Sequence, residues 1–172
     1  MILGFSFATA DDAVAIRRIV EAAYRGTAGW TIESHLIGGQ RTDLAEIDGI
    51  IAGPDGGILT LREGDEIVAS CQLERWGDSA YFGMFAVDPA VQASGYGKRM
   101  LAEAERIVRE DWELDSMRMT VIAQRDDLIA FYERRGFRRT GVTEPFPYGD
   151  ERVGTPLVDG LHFVELVKPL SR

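Results

Sequence analysis

The residues that most constrain this chain run from Phe85 to Leu101: Phe-Ala-Val-Asp-Pro-Ala-Val-Gln-Ala-Ser-Gly-Tyr-Gly-Lys-Arg-Met-Leu. An apolar run stops at Pro89, a short polar turn holds Gly95 and Gly97, and an amphipathic pattern follows. The order is strand, loop, helix. The first N–H groups of a helix lack intrahelical partners and sit at the positive end of its dipole, so main chain alone can hold a phosphate there. Glycines at 95 and 97 let that backbone approach closely, because no Cβ intervenes. A Walker-type loop would need glycine where Gln92 stands and Ser or Thr where Arg99 follows Lys98. A dinucleotide fingerprint would need a third glycine where Met100 stands. Both fit poorly.

Composition limits what such an anion site can serve. With 172 residues, 45% hydrophobic and 27% charged, the chain reads as one domain, residues 1–172, with a substantial core. No apolar run reaches the ~18 residues of a membrane span, and the N-terminus lacks a basic-then-apolar pattern, so the expectation is a cytoplasmic protein without a membrane partner. A net charge of −9 argues against nucleic acid. It also offers a weak hint that a cationic amine would be welcome. One cysteine, Cys71, and two distant histidines, His35 and His162, give neither a disulfide framework nor a metal-ligand cluster.

In chain order, Ile2 to Ala8 reads as a strand. Thr9 and Asp12 have capping-box spacing before a helix with Ala13, Ile16, Ile19, Val20 and Ala23 on one face. Pattern dissolves from Arg25 to Arg41, around Gly26, Gly29, Trp30, Glu33, Gly38 and Gly39. A short helix is expected from Thr42 to Ala52. Ile58 to Arg62, Glu66 to Trp76 and Tyr81 to Val87 read as three hairpin-linked antiparallel strands. In the second of them Ile67, Ala69, Cys71 and Leu73 form an apolar face opposite Val68, Ser70, Gln72 and Glu74, a face that turns polar toward its end. The helix after the loop carries Met100, Leu101, Ala104, Ile107, Val108 and Trp112 as a core stripe. Met117 to Ile122 is then a strand parallel to the one before the loop, by a right-handed crossover. Val142 to Gly160 reads as a long segment without regular structure, and Leu161 to Val167 as the last strand, on which His162 is a structural residue.

A second motif is Leu128-Ile129-Ala130-Phe131-Tyr132-Glu133-Arg134-Arg135-Gly136-Phe137, a helix opened by Asp126 and Asp127 and closed by Gly136, with a new strand starting at Phe137. Gln92-Ala93-Ser94-Gly95-Tyr96-Gly97 after Val87-Asp88-Pro89, followed at the right interval by this Phe-Tyr-Glu-Arg-x-Gly-Phe segment, resembles the GCN5-related N-acetyltransferase (GNAT) family. The resemblance extends loosely over nearly the whole chain. It implies an α/β fold with a mixed, mainly antiparallel central sheet flanked by helices. It also implies acetyl-CoA as co-substrate and a primary amine as acceptor, with a homodimer left open.

Carried onto this sequence, the resemblance puts the pyrophosphate on Gln92, Ala93, Ser94, Gly95, Tyr96, Gly97 and Lys98. The pantetheine arm lies along the strand backbone at Phe85, Ala86 and Val87, and Tyr132 donates a proton to the departing sulfur. The family often has Asn seven residues before that tyrosine and Ala four before it, where this chain has Arg125 and Leu128. Arg125 would instead reach a phosphate or cap a carbonyl. Relatives often carry a glutamate base on the strand before the loop, but Gly83-Met84-Phe85-Ala86 has no ionisable group. Glu74 and Glu33 are the candidates for that role. A CoA-binding module without turnover is the alternative reading, and an interaction domain whose loop binds nothing is a second.

Overall fold

The computed structural model describes residues 2–26, 32–150 and 154–171. Gly29 and Trp30, counted above in the patternless stretch, lie outside them. Strand β1 (Leu3–Phe7) enters a single 3-10 turn, Ala10–Asp12, where the Thr9 N–H donates to Asp12 Oδ2 at 2.9 Å. Helix α1 (Ala13–Arg25) buries the expected stripe of Ala13, Ile16, Ile19, Val20 and Ala23. Strand β2 (Ile37–Gly38) is short. Helix α2 (Leu44–Ala52) starts two residues later than expected, because the Asp43 carboxylate accepts from the Glu46 N–H and caps it.

Strands β3 (Gly56–Glu63), β4 (Glu66–Trp76) and β5 (Ser79–Val87) pair antiparallel in sequence. Helix α3 (Tyr96–Arg106), prolonged by a π turn over Ile107–Asp111, leads to β6 (Ser116–Ile122), which is parallel to β5. Helix α4 (Asp126–Glu133), β7 (Arg138–Pro145), β8 (Thr155–Pro156) and β9 (His162–Pro169) follow. The large sheet has the order β1-β3-β4-β5-β6-β9-β7, with β5–β6 its one parallel pair. It is the mixed, mainly antiparallel sheet flanked by helices that the sequence implied.

One expectation is corrected. The segment from Val142 to Gly160 is partly regular: β7 runs to Pro145, and Thr155–Pro156 pairs with Ile37–Gly38. Strand β7 is an edge whose residues are all exposed, so its side chains carry no apolar alternation to read. The second face of β4 turns polar only toward its end, as expected, where Gln72 and Glu74 are half-buried. Val68 and Ser70 are as buried as Ala69 and Cys71, because helices cover the sheet on both sides.

Those two layers place the site. On one side, Leu59, Leu73, Phe82, Phe85 and Val87 pack with Met100, Leu101 and Ala104 of α3. On the other, Ile58, Ile67, Met84 and Ala86 pack with Ile16, Ile19 and Val20 of α1 and Ile47 of α2. Ala80 and Phe82 share a layer with Phe85 and Val87, so the odd–even parity of β5 changes between 82 and 85. A bulge causes the change: Ser70 faces Ala86 and Gln72 faces Gly83, leaving Cys71 opposite both Met84 and Phe85. Met84 there adopts φ 44°, a left-handed conformation that costs a non-glycine residue strain.

Candidate active site

Bulges bend the strand that carries them. The ladder between β5 and β6 consists of Ala80–Met117 and Tyr81–Arg118 and ends two residues before the bulge, so the two parallel strands open into a wedge. A cavity of about 200 Å³ lies there, walled by Tyr81 to Phe85 on one strand and Met119 to Ile122 on the other. Helix α4 contributes Leu128 and Tyr132, and the chain from α1 toward α2 contributes Tyr24, Arg25, Glu33, Ile37 and Arg41.

The loop expected to bind an anion leaves β5 on the same side. Residues Pro89–Ser94 form a 3-10 turn rather than an open loop, tied down by the Asp88 carboxylate accepting from the Ala90 N–H at 3.0 Å and by the Asp88 N–H donating to Val68 at 2.9 Å. Gly95 follows with φ 79°, and α3 begins at Tyr96. A Cβ built at Gly95 meets no protein atom within 4 Å, so the space above this backbone is open to a ligand. The Tyr96 hydroxyl donates to Glu63 Oε2 at 2.6 Å, which anchors the first turn of α3 to β3; the same bond raises the phenol above its ordinary range. Ser94 and Lys98 are exposed, and Gly97 is partly buried. Gln92 and Ala93 lie within the 3-10 turn.

Tyr132 is fixed in an aromatic cluster. Its ring meets Phe131, Phe137 and Phe82 edge-on, with centroids 5.4, 5.7 and 6.5 Å away. A Schellman motif closes the helix directly behind it: the Phe137 N–H donates to the Tyr132 carbonyl, the Gly136 N–H to Glu133, and Gly136 has φ 98°. Burial holds the Tyr132 phenol well above its usual range, with Arg125 nearby opposing the shift, so it is protonated throughout the physiological range. Burial likewise pushes Cys71 up, and a thiol so held is no nucleophile.

Of the two candidate carboxylates, Glu33 lines the cavity and Glu74 does not. Glu33 is 5% exposed and sits between Arg25, with which it makes a close ion pair, and Arg125, whose Nη1 is 3.6 Å from Oε2. Arg125 thus lines the cavity, and its Nε lies 3.7 Å from the exposed Asp127. Glu74 accepts from Gln72 Nε2 at 3.1 Å and lies cross-strand from Tyr81. His35 is exposed and away from the cavity, and His162 Nδ1 lies 3.0 Å from the Gly160 carbonyl.

The structure adds cavity residues that were not singled out from the sequence: Tyr24, Arg25, Arg41, Tyr81 and Phe146. Tyr24 had a signal, since it continues the Ile16, Val20 spacing of α1 as a tyrosine. Burial pushes its phenol up to about 12. Tyr81 stacks on Trp76 at 4.4 Å and folds back over Gly83, where a Cβ would collide with its ring. A side chain at 83 would displace the tyrosine ring two residues before it. Among the described residues no group of three His, Cys, Asp or Glu could hold a metal ion, and no helix is long and apolar enough to cross a membrane.

The sequence profile of the acetyltransferase (GNAT) family matches residues 15–137. No curated protein matches the sequence. Among solved structures, the ribosomal-protein-S18-alanine N-acetyltransferase of Escherichia coli superposes with a TM-score of 0.73 at 19% identity, covering 99% of this chain and 96% of its own. A Salmonella typhimurium protein solved with its cofactor acetyl-CoA gives 0.70 at 18%, covering 100% and 96%. The PaiA N-acetyltransferase of Thermoplasma acidophilum, solved in complex with coenzyme A, gives 0.67 at 17%, covering 98% and 99%. At such identities the likeness establishes the fold.

Proposed function

The chain belongs to the GNAT family of acetyltransferases, and on that premise we propose that it transfers an acetyl group from acetyl-CoA to a primary amine. The observation that carries the reading is the wedge between β5 and β6, with Tyr132 on its wall and the Gly95 turn at the end of the same strand. Two neighbours solved with acetyl-CoA or coenzyme A support the choice of co-substrate. The pyrophosphate rests on Gln92 to Lys98, held by main-chain N–H groups at the start of α3. The pantetheine follows β5 beside Phe85, Ala86 and Val87 in the manner of an added strand.

In the reaction a neutral amine attacks the thioester carbonyl, negative charge gathers on the carbonyl oxygen, and the thiolate departs. Tyr132 donates its hydroxyl proton toward the sulfur. Complete transfer would leave a tyrosinate in an aromatic pocket, which burial opposes and Arg125 partly offsets. Its contribution is greatest while charge is developing on the sulfur, as a hydrogen-bond donor fixed in place beforehand. The proton shed by the attacking amine goes to Glu33, the carboxylate lining the cavity, or reaches Glu74 through Tyr81, its cross-strand neighbour.

The pH dependence of kcat/KM, followed by release of the CoA thiol, tests this. Loss of the acidic limb in Glu33→Gln, with the limb kept in Glu74→Gln, is the expected outcome. The reverse pattern assigns the proton to Glu74, and an unchanged profile in both variants removes both. Glu33→Gln also leaves two guanidiniums without their shared carboxylate and should destabilise the fold by about 3–5 kcal/mol. Glu74→Gln carries no such penalty, so the two variants separate charge structure from proton transfer.

A further inference from the structure

We propose that the amine acceptor also carries a carboxylate, as an α-amino acid does, and that Arg41 binds it. The inference rests on the acetyl-transfer reading and narrows its substrate.

The chain is acidic overall, yet three arginines line its cavity. These are Arg25, Arg41 and Arg125, and Glu33 is the one carboxylate among the described lining residues. Around them, Glu33 pairs with Arg25 and Arg125, Asp127 lies 3.7 Å from Arg125, and Glu46 lies 4.0 Å from Arg41. The Arg41 pair is the longest of these and its partner is exposed, so an anion in the cavity can engage that guanidinium at little cost. Glu33 engages Arg25 and Arg125 together, and Arg41 stands apart from that pair. Its nearest carboxylate is Glu46, at 4.0 Å on the surface side, and among the described residues nothing accepts a hydrogen bond from its guanidinium.

Arg41 is also held in place for the task. The Glu21 carboxylate of α1 accepts from the N–H groups of both Arg41 and Thr42, at 2.7 and 2.9 Å, which fixes the backbone. Tyr24, one turn further along α1, supports the guanidinium face with its ring centroid 5.0 Å away. A planar fork stacked on an aromatic ring presents its N–H edge to a bidentate oxyanion with little further ordering.

Position separates this charge from the chemistry at sulfur. Arg125 bears on Tyr132 and Tyr24, and Arg41 on Tyr24 and Tyr81. The thioester's phosphates belong at the Gly95 turn, beyond the end of β5, so they do not account for Arg41. Ile37, Ile122, Phe146 and Phe163 offer an apolar wall for the rest of the acceptor.

The test compares matched pairs that differ only in the carboxylate: L-methionine with L-methioninamide, and L-phenylalanine with L-phenylalaninamide. Each is assayed with acetyl-CoA by thiol release. The amide's amine is the less basic and is more often neutral, so chemistry without recognition favours the amide. We expect kcat/KM for the acids to exceed that for the amides by about 10–100-fold, the loss of one charged hydrogen-bonding pair. Arg41→Gln should collapse that ratio toward one, mainly through KM, and Arg41→Lys should restore part of it. Amides used as fast as acids by the wild type, or a ratio that survives Arg41→Gln, would overturn the proposal. If neither member of a pair turns over, thermal shifts in the presence of CoA decide: stabilisation by the acid alone supports it, and any other pattern overturns it. Turnover of phenethylamine without preference for acids defeats the carboxylate while acetyl transfer stands. Failure of acetyl-CoA to bind in calorimetry defeats the acetyl-transfer reading itself.

Discussion

Tyr132→Phe lowers kcat by roughly 10²–10⁴-fold, the range of a positioned proton donor, while the affinity for acetyl-CoA stays within a few fold. The phenyl ring keeps its edge-on contacts with Phe82, Phe131 and Phe137, and the Schellman closure behind it is main chain, so the variant folds as the wild type does. What disappears is one hydroxyl proton on the cavity wall. The direction of the Tyr132 shift supplies a second readout. Because burial raises the phenol well above about 10, its protonated form persists below that pH, and the wild-type kcat profile shows no basic limb from this residue between pH 7 and 10. A basic limb in that window which vanishes in Tyr132→Phe would mean a phenol far more acidic than its surroundings permit. Full activity in the variant, with chemistry rate-limiting, would end the assignment.

Gly95→Val should weaken acetyl-CoA binding by about 10–150-fold, the loss of one charged hydrogen bond from main chain to pyrophosphate. Two effects act together. Valine is a poor occupant of φ 79°, at a strain of about 1–2 kcal/mol, so the turn relaxes and the N–H groups at the start of α3 turn away. The new side chain also fills the open space above the backbone. Gly77→Val separates strain from binding, since Gly77 has φ 65° with equally open surroundings in the β4–β5 turn. The two substitutions should lower the melting temperature similarly, and the one at Gly95 alone should affect calorimetric affinity for acetyl-CoA. Equal affinity in both would remove the pyrophosphate from this turn.

What the sequence disclosed follows from where its signals are local. The α1 stripe, the Gly95 junction and the Phe131 to Phe137 segment each depend on residues within one helical turn of one another, and each occupies its expected place. The bulge in β5 was hidden because helices cover both faces of the sheet. Phe82, Met84, Phe85, Ala86 and Val87 are all buried, so no polar residue marks the change of parity. The strand expected to start at Phe137 is β7, but its length was hidden for the opposite reason: on an exposed edge Val142 to Pro145 carry no alternation, although Thr143, Glu144 and Pro145 pair with β9. The charged cavity wall was out of reach of any spacing rule. Arg25 meets Glu33 across eight residues, and Arg125 meets the same carboxylate from the far side of the sheet. Arg41 depends on Glu21 and Tyr24, a helix face that looked merely solvated and apolar in turn. The absence of a glutamate near Gly83 was legible, but that the Tyr81 ring fills the space was not.

The most direct test of the central claim is mass analysis of the acceptor after incubation with the wild-type protein and acetyl-CoA labelled with ¹³C in the acetyl group. The account predicts that a primary amine gains one labelled acetyl group on nitrogen, that CoA appears in equal amount, and that Tyr132→Phe slows both together. Bound acetyl-CoA that never acetylates any amine across the acids, amides and simple amines tried would contradict it and leave a binding module in place of an enzyme.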